Sequence, residues 1–277
     1  MICERVKPSA FASEYIKEYL IVHLEFNKQE AAPIKVYPIN PKEGITFQFI
    51  GSLIAETPSL AIIEQRPRVN IFAIPSAPQI FRLSHKFMFV NVEFQPGALS
   101  RFLNIPITEL INGSLDASLI LGKEIEAIND QMANTGNYCE LPIILDNFFI
   151  KKIKKLKGIP LPIDKIGFLI SENPSNFNLD QIARLACMSH RTFENRFFQK
   201  VGVNPKYFAR ICRFYKAYEM KELSPKLDWL SIAVQNGYTD YQHLVKDFKE
   251  FSGVTPNVLL NRYIKTLKRD CWSIRNL

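Results

Sequence analysis

The sequence predicts an α+β protein in which an N-terminal β-rich barrel or sandwich, followed by helices, precedes an all-α C-terminal domain with two helix-turn-helix units. Three observations lead to this prediction. A helical pattern occurs twice near the C-terminus, short β-branched and aromatic runs fill the N-terminal part, and the hydrophobic period changes between them. We therefore expect a β-rich domain at residues 1–157, a linker at 158–164 and an all-α domain at 165–277.

The repeated pattern has a period of about 50 residues. Its first copy runs from Ile182-Ala183 to Asn204-Pro205, and its second copy runs from Ile232-Ala233 to Thr255-Pro256. Such a repeat indicates a duplicated supersecondary unit. Each copy has the pattern of a short helix, a tight turn and a second helix, which predicts two helix-turn-helix units.

The first copy contains the signals that begin its two helices. Asn178 is a favourable N-cap for the first helix, and Ser189 is expected to cap the second after a turn at Cys187-Met188. Helical spacing predicts the buried face of the second helix, which contains Phe193, Phe197 and Val201. The opposite face is polar and carries Arg191, Asn195 and Gln199.

The second copy repeats this arrangement. Its first helix is expected to be apolar through Leu230, Ala233 and Val234, and Gly237 supplies the positive φ that a tight turn needs. Thr239 and Gln242 match a capping box at the start of the second helix. The predicted buried face of that helix contains Leu244, Phe248 and Phe251. The polar face contains Gln242, Lys246 and Lys249.

The two polar faces and the charge distribution both predict nucleic-acid binding. Arg, Asn, Gln and Lys are the side chains that contact base edges and phosphates in a major groove. Residues 1–150 contain 12 Lys and Arg residues against 16 Asp and Glu residues, a net charge of −4. Residues 151–277 contain 23 against 11, a net charge of +12, which is typical of a half that binds a polyanion.

One helix from Pro205 to Leu223 is expected to join the two units. Its apolar side is predicted to contain Phe208, Ile211, Tyr215 and Tyr218. Arg210 and Arg213 on this helix have two interpretations. Either they contact DNA phosphates, or they hold the two units together by packing and hydrogen bonds, and we favour the second interpretation.

The N-terminal part favours strands. They are predicted at Tyr19 to Phe26, Ile34 to Ile39, Ile45 to Ile50, Val69 to Ile74, Gln79 to Leu83 and Phe87 to Phe94. Short strands at this spacing are typical of a small sandwich or barrel, whose interior or mouth is a common site for a small ligand. An effector site and a sheet that only dimerises are equally compatible with this pattern.

Helical periodicity begins after Pro96-Gly97. Helices are predicted at Ala98 to Leu103, Thr108 to Ile111, Leu119 to Met132 and Leu141 to Leu156. The lysine run at 151–157 keeps helical spacing, so we favour the solvated face of a packed helix over a DNA-binding arm. Residues 158–162 then break the helix, and the basic tail at 264–277 is expected to be a frayed end.

The sequence does not favour an enzyme. Its cysteines lack a close CxxC pair, which is typical of reduced thiols: Cys3, Cys139, Cys187, Cys212 and Cys271. His23 and His85 lie far apart without metal-site spacing, and no phosphate loop or nucleophile elbow is present. We expect no cofactor and no metal. The N-terminus does not resemble a signal peptide and no run is long enough to span a membrane, so a cytoplasmic protein without a membrane partner is expected.

Four segments in the last hundred or so residues resemble the AraC/XylS family of bacterial transcription regulators. These segments are MSHRTFENRF (188–197), RICRFYKA (210–217), IAVQNGYTDYQHLVKDFKEFSGVTP (232–256) and the pair Arg262-Tyr263. Cys187 departs from the family pattern, in which a turn glycine is frequent. The segment 89–111 also resembles the end of the sensor domain in one branch of the family.

This resemblance implies a sequence-specific DNA-binding transcription regulator with an N-terminal sensor domain. It places base contacts at Arg191, Glu194, Asn195, Tyr241, Gln242 and Lys246. Helical spacing independently selects most of these residues and adds Gln199 and Lys249. The expected partners are double-stranded DNA, a small-molecule effector, RNA polymerase and a second copy of the chain. The alternative function is a cysteine- or metal-dependent enzyme, with Cys139 as a candidate nucleophile, that the C-terminal domain targets to DNA.

Overall fold

The structure is a computed structural model that describes residues 2–27, 34–110, 114–156 and 161–260. The predicted helix break at 158–160, the closing pair Arg262-Tyr263 and the basic tail lie outside the described residues. None of the described helices is long and apolar enough to cross a membrane.

The N-terminal part contains two antiparallel sheets. The six-stranded sheet has the order β1-β2-β9-β4-β7-β10, with β1 at Ile2–Val6, β2 at Ile16–Glu25, β4 at Gly44–Ile50, β7 at Val69–Phe72, β9 at Lys86–Phe94 and β10 at Leu115–Asp116. The four-stranded sheet has the order β3-β8-β5-β6, with β3 at Ile34–Tyr37, β5 at Leu53–Thr57, β6 at Ile62–Gln65 and β8 at Gln79–Leu83. The predicted β-rich architecture is confirmed.

Strand β2 shows how the two sheets and the helices share their cores. Successive side chains of a strand point to opposite faces. Tyr19 and Ile21 belong to the apolar core beneath the N-terminal helices, whereas Leu20 and Val22 belong to a smaller core that also contains Phe87 and Leu83 of β8. β2 is therefore buried on both faces, and the four-stranded sheet covers the face that the helices leave free.

The described residues of the N-terminal part also form four α-helices, with β10 lying between the first and the second. They are α1 at Ala98–Leu103, α2 at Ser118–Leu121, α3 at Glu124–Asn134 and α4 at Glu140–Ile153. The single helix predicted from Leu119 to Met132 is wrong, because the chain turns at Gly122 with φ 75° and divides it into α2 and α3. A short 3₁₀ helix, Ile107–Leu110, occupies the described part of the element predicted from Thr108.

Residues 256–260 of the C-terminal part are helical. Before them, and after a 3₁₀ turn at Pro162–Lys165, the described residues form six α-helices. These helices are α5 at Ile166–Glu172, α6 at Leu179–Leu185, α7 at His190–Val201, α8 at Pro205–Leu223, α9 at Trp229–Gln235 and α10 at Tyr241–Ser252. The boundaries of α8 are those that the sequence predicts. One apolar cluster runs through α5 to α10, so the two helix-turn-helix units share a single core.

The core of the C-terminal part also contains two residues from the β-rich part. Ile39 and Ile74 are 2% and 4% exposed and pack within the helical cluster. The backbone N–H of Ile39 donates a hydrogen bond to the carbonyl oxygen of Phe251, at the C-terminal end of α10, over 2.8 Å. Gly97, which precedes α1, lies against Val201 at the end of α7. The β-rich part therefore contacts the C-terminal ends of both α7 and α10.

Candidate nucleic-acid interface

Helix α7 begins as the sequence predicts. The Asn178 side chain accepts a hydrogen bond from the N–H of Gln181 at the start of α6, and the Ser189 side chain accepts one from the N–H of Thr192 at the start of α7. The predicted inward residues of α7 are buried: Phe193, Phe197 and Val201. Glu194 follows Phe193 in the chain and is exposed, because it is rotated by about 100° from Phe193 around the helix axis.

Helix α10 begins one residue later than the sequence predicts. The N-cap is Asp240, whose side chain accepts a hydrogen bond from the N–H of His243, so the predicted capping box of Thr239 with Gln242 is wrong. Asp and Thr are both good N-caps, and the chain offers them side by side. The predicted buried face of α10 is confirmed through Leu244, Phe248 and Phe251.

The apolar face of α9 also differs from the prediction. Ile232 and Ala233 are fully buried, whereas Leu230 is 57% exposed and Val234 is 63% exposed. The short helix has room for only one buried strip between α8 and α10, and the tandem Ile232-Ala233 pair fills it. Apolar composition in α9 therefore overstates how much of the helix lies in the core.

Two polar ridges result on the outer surfaces of α7 and α10. The first ridge consists of exposed residues of α7: Arg191, Glu194, Asn195 and Gln199. The second ridge lies on α10 and consists of Tyr241, Gln242, Lys246 and Lys249; Tyr241 is half-buried and the other three are exposed. Each predicted set thus lies on one helix, and all of its residues except Tyr241 face solvent. Contact of these residues with bases stays a prediction.

The turns before the two ridges have the same geometry with different residues. Cys187 and Gly237 occupy equivalent positions and both are left-handed, with φ 55° and φ 71°. The next residue in each turn donates its N–H to an equivalent carbonyl: Met188 to Ala183 over 3.0 Å, and Tyr238 to Ala233 over 2.9 Å. The cysteine in the first turn therefore preserves the turn geometry but places a Cβ atom where left-handed backbone disfavours one.

We expect the variant Cys187→Gly to be more stable than the wild type by up to about 1 kcal/mol. Glycine removes the steric penalty of the left-handed backbone, and this gain exceeds the extra conformational entropy that glycine loses on folding. The opposite change, Gly237→Ala, should cost about 2 kcal/mol or more. Its added Cβ would also lie 2.6 Å from the Cβ of Ser175. Chemical denaturation of the full chain measures both changes, and a destabilised Cys187→Gly variant would contradict this account.

Helix α8 holds the two units together through two aromatic residues of its apolar side. Phe208 packs against Phe197 of α7 with ring centroids 5.6 Å apart, and Phe214 packs against Phe248 of α10 at 4.8 Å. Arg210 and Arg213 point towards α10 and donate hydrogen bonds to the buried carboxylate of Asp247. These contacts support the interpretation that the two arginines hold the units together.

A cavity lies between the two sheets of the β-rich part. Its apolar wall includes the side chains of Leu20, Leu53, Phe81, Leu83, Phe87 and Phe89. Its polar wall includes Lys35, Asn40, Gln48, Arg66, Asn70, Gln79 and Asn91. A mostly apolar, concave site with a few convergent polar groups is the usual character of a small-molecule site.

The two cations of this cavity, Lys35 and Arg66, are buried and lie against polar neighbours. Burial lowers the pKa of Lys35 well below its usual range. The Arg66 guanidinium lies 2.8 Å from Glu64 and donates to Gln79 over 3.4 Å, and Gln79 donates in turn to Thr57. Helical or strand spacing alone gives no signal for this network, because it joins three separate strands and a loop.

The cavity wall continues into the contact between the two parts of the molecule. Asn40 and Ile74 line the cavity. Ile74 is also buried in the helical core, together with Ile39, the chain neighbour of Asn40. Beside them, Lys42 lies 5.2 Å from the ring centroid of Tyr215 on α8 and 2.9 Å from Glu93. Burial opposes the charge of Glu93, but Lys42 and Lys17 outweigh it and lower the pKa of Glu93 to about 2.

The first lysines of the run lie on the solvated side of α4, as the packed-helix interpretation predicts, but α4 ends at Ile153 and the predicted continuation to Leu156 is wrong. Phe149 and Ile153 are buried in the N-terminal core. Lys151 and Lys152 on the outer side both pair with Glu124 of α3, at 3.0 Å and 2.8 Å.

Cys139 and His23, the residues considered for enzymatic chemistry, both lie beside Tyr138. Cys139 is exposed at the N-cap of α4, and its N–H donates to Asn137. His23 hydrogen-bonds through Nδ1 to the hydroxyl of Tyr138 over 2.7 Å. Within the described ranges, no three His, Cys, Asp or Glu residues are grouped to hold a metal ion.

Comparison with known proteins gives matches in sequence and in structure. Residues 182–262 match a family described as "Helix-turn-helix domain". No curated protein matches the chain. Apo ToxT variant from Vibrio cholerae strain SCE256 superposes with a TM-score of 0.50 at 16% identity, covering 90% of this chain and 98% of that one.

Two further solved structures are similar. Wild-type ToxT from the same strain, with an unsaturated fatty acid bound, gives a TM-score of 0.49 at 15% identity over 90% of this chain and 96% of its own. The DNA-binding domain of the global transcriptional factor AdpA, in complex with a target DNA, gives 0.34 at 20% identity over 38% of this chain and 96% of its own. The similarity to the apo ToxT variant extends the shared fold over both parts of the chain.

Proposed function

We propose that this protein, whose residues 182–262 match a helix-turn-helix family, is a sequence-specific DNA-binding transcription regulator of the AraC type controlled by a small-molecule effector. The observation that carries the proposal is the pair of solvent-facing polar ridges on α7 and α10, held by the single helix α8. The charge of +12 on residues 151–277 adds the non-specific attraction that DNA binding requires.

The length of α8 fits two contacts on one face of a duplex. Its 19 residues span about 28 Å at about 1.5 Å per residue. Successive major-groove faces of DNA lie about 34 Å apart. A single chain would therefore place the two ridges in adjacent major-groove segments, and its binding site need not be palindromic.

Substitution of the ridge residues tests this assignment. Replacing Arg191 or Gln242 by Ala should cost about 1–3 kcal/mol of binding free energy and relax the preference at one or two base pairs, because a base contact is lost. Replacing Lys249 by Ala should weaken binding to all sequences alike, as expected for a phosphate contact. Selection of duplexes from a random pool with each variant measures both effects. Wild-type sequence preference in both the Arg191 and the Gln242 variants would refute the assignment.

We assign residues 1–157 to effector binding and dimerisation, residues 158–164 to a linker and residues 165–277 to DNA binding. The effector site would be the cavity between the sheets. Its chemistry fits an organic molecule that is largely apolar and carries a group able to accept hydrogen bonds from Lys35 or Arg66. RNA polymerase and a second copy of the chain are the further partners that a regulator of this kind would use.

The cavity assignment predicts a difference between two neighbouring substitutions on β5. Leu53 lines the cavity, whereas Ile54 points to the opposite face and is 37% exposed. Leu53→Trp should fill the cavity and abolish the change in DNA binding that a small-molecule extract of the source cells produces, while binding without extract persists. Ile54→Trp is the matched control and should respond as the wild type does. Equal responses of the two variants would place the effector elsewhere.

A further inference from the structure

A charged cluster lies at the crossing of α8 and α10. Asp247 on α10 is fully buried, and each of its carboxylate oxygens accepts a hydrogen bond from a different arginine of α8. Arg210 Nη2 donates to Oδ1 over 2.7 Å, and Arg213 Nη2 donates to Oδ2 over 3.0 Å. A fully buried carboxylate is costly unless it is paired in this way, so its presence in this core needs a reason.

The cluster contacts α10 along about two turns. The Arg213 guanidinium lies over the ring of Tyr238, 4.1 Å from its centroid, in the turn before α10, and 3.3 Å from Nε2 of His243 in the first turn. Arg210 also donates to both carboxylate oxygens of Glu250, over 3.2 Å and 2.6 Å. Residues 243, 247 and 250 therefore contact two neighbouring arginines of one helix.

These contacts restrain the rotation of α10 about its own axis, which apolar packing opposes only weakly. Ring contacts such as that between Phe214 and Phe248 set the distance between two helices but only weakly restrain rotation of one helix about its own axis. Charge-assisted hydrogen bonds are directional, so a cluster that spans two turns of α10 opposes such rotation. A rotation of about 10° moves a side chain some 6 Å from the axis by about 1 Å. The contacts of a binding site tolerate a displacement of only roughly half that size.

The first unit lacks this cluster. Phe197 and Phe248 are equivalent, so the position equivalent to Asp247 is Arg196, which is exposed. Helix α7 packs on α8 through the rings of Phe197 and Phe208. Among the described residues, no ion pair or side-chain hydrogen bond joins α7 to α8. The two units therefore attach to the same joining helix by different chemistry.

We infer that Asp247, Arg210 and Arg213 are positioning residues that fix the rotation of α10 about its axis and thereby determine base discrimination by the second unit alone. The inference rests on the proposed function, in which the second ridge reads bases. Because Gln242 and Lys246 directly precede His243 and Asp247 in the chain, the cluster anchors the two helix turns that carry them.

The test compares full-length variants on the duplex that the wild type selects from a random pool, with each base pair replaced in turn. The principal variant combines Arg213→Met with Asp247→Leu. Apolar replacement of a buried ion pair generally preserves stability, whereas Asp247→Asn alone would leave Arg213 without its carboxylate partner. Arg210 keeps Glu250 in this variant. The effects of Arg191→Ala and Gln242→Ala identify which segment each unit reads.

The double variant should keep its discrimination in the segment read by α7. In the segment read by α10, discrimination between base pairs should fall from roughly tenfold or more to less than about threefold. Arg213→Lys, which keeps the charge but loses the flat stacking surface on Tyr238, should show a smaller loss confined to the same segment; it provides the test if the double variant does not fold.

Lys216→Met is the matched control. It removes one positive charge from α8, where Lys216 donates to the carbonyl oxygen of Glu172 over 2.6 Å and has no contact with α10 among the hydrogen bonds and ion pairs described. Its discrimination should equal that of the wild type. The deciding variant is the double variant if it folds, and Arg213→Lys if it does not. The inference is overturned if that variant discriminates between base pairs as the wild type does in both segments, or if it loses discrimination equally in both. A wild type that selects no sequence would instead refute the proposed function.

Discussion

Raising the salt concentration from about 50 to about 200 mM is expected to weaken DNA binding by this protein roughly a hundredfold or more. Besides Arg191 and Lys246, which are assigned to bases, the described helices of the C-terminal part expose four cations that form no ion pair among the described residues: Arg184, Arg196, Lys206 and Lys249. Each phosphate that such a cation neutralises releases condensed counterions and adds about −0.9 to the slope of log affinity against log salt. Four contacts give a slope of about −3.6.

Fluorescence anisotropy of a labelled duplex at several salt concentrations measures this slope. Lys249→Ala should make the slope shallower by about one. Gln242→Ala is the uncharged control, which should alter sequence preference and leave the slope unchanged. A wild-type slope shallower than about −2 would show that phosphate contacts contribute little, and the electrostatic part of the proposed mechanism would then be wrong.

Breaking α8 should reduce specific DNA affinity to the non-specific level, a loss of about 10³-fold or more. The proposed change is insertion of Gly-Pro after Cys212, a fully buried residue between Phe208 and Phe214. Proline removes a helical hydrogen bond and clashes with the preceding turn, so the ring contacts to α7 and to α10 can no longer form from one rigid helix. Since both units share one core, the melting temperature should also fall.

Non-specific binding should persist in this variant at low salt, because the basic residues of the ridges remain. Cys212→Ala is the control for loss of the thiol alone and should retain specific binding. Footprinting gives the decisive observation. If the insertion variant protects the same two major-groove segments with wild-type affinity, the two units do not depend on a common helix.

Helical spacing and capping signals predicted the surfaces of the C-terminal part because they are local. Asn204-Pro205 marks the start of α8, and the spacing of Phe193 and Phe197 places Arg191 on the outer side of α7. Tyr241 is the exception on the ridges, since its half-burial depends on packing against neighbours that sequence spacing does not reveal.

The β-rich part was predicted less completely for a physical reason. β1, β5, β6 and β10 were not predicted. In β5 and β6, Glu56 and Glu64 interrupt the β-branched runs, and these strands gain their stability from pairing with each other and with β8. The cavity and the Asp247 cluster also escaped prediction, because both bring together residues that are far apart in the chain.

The two isoleucines that the β-rich part contributes to the helical core have a consequence for synthesis of the chain. Ile39 and Ile74 leave the ribosome long before Phe251, whose carbonyl oxygen accepts the hydrogen bond from Ile39. At about 5–20 residues per second, the interval between Ile74 and Phe251 lasts about 10–35 s. During that time the nascent β-rich part exposes an apolar edge that nothing yet covers, and a chaperone that binds such edges would compete with the later-made helices for it.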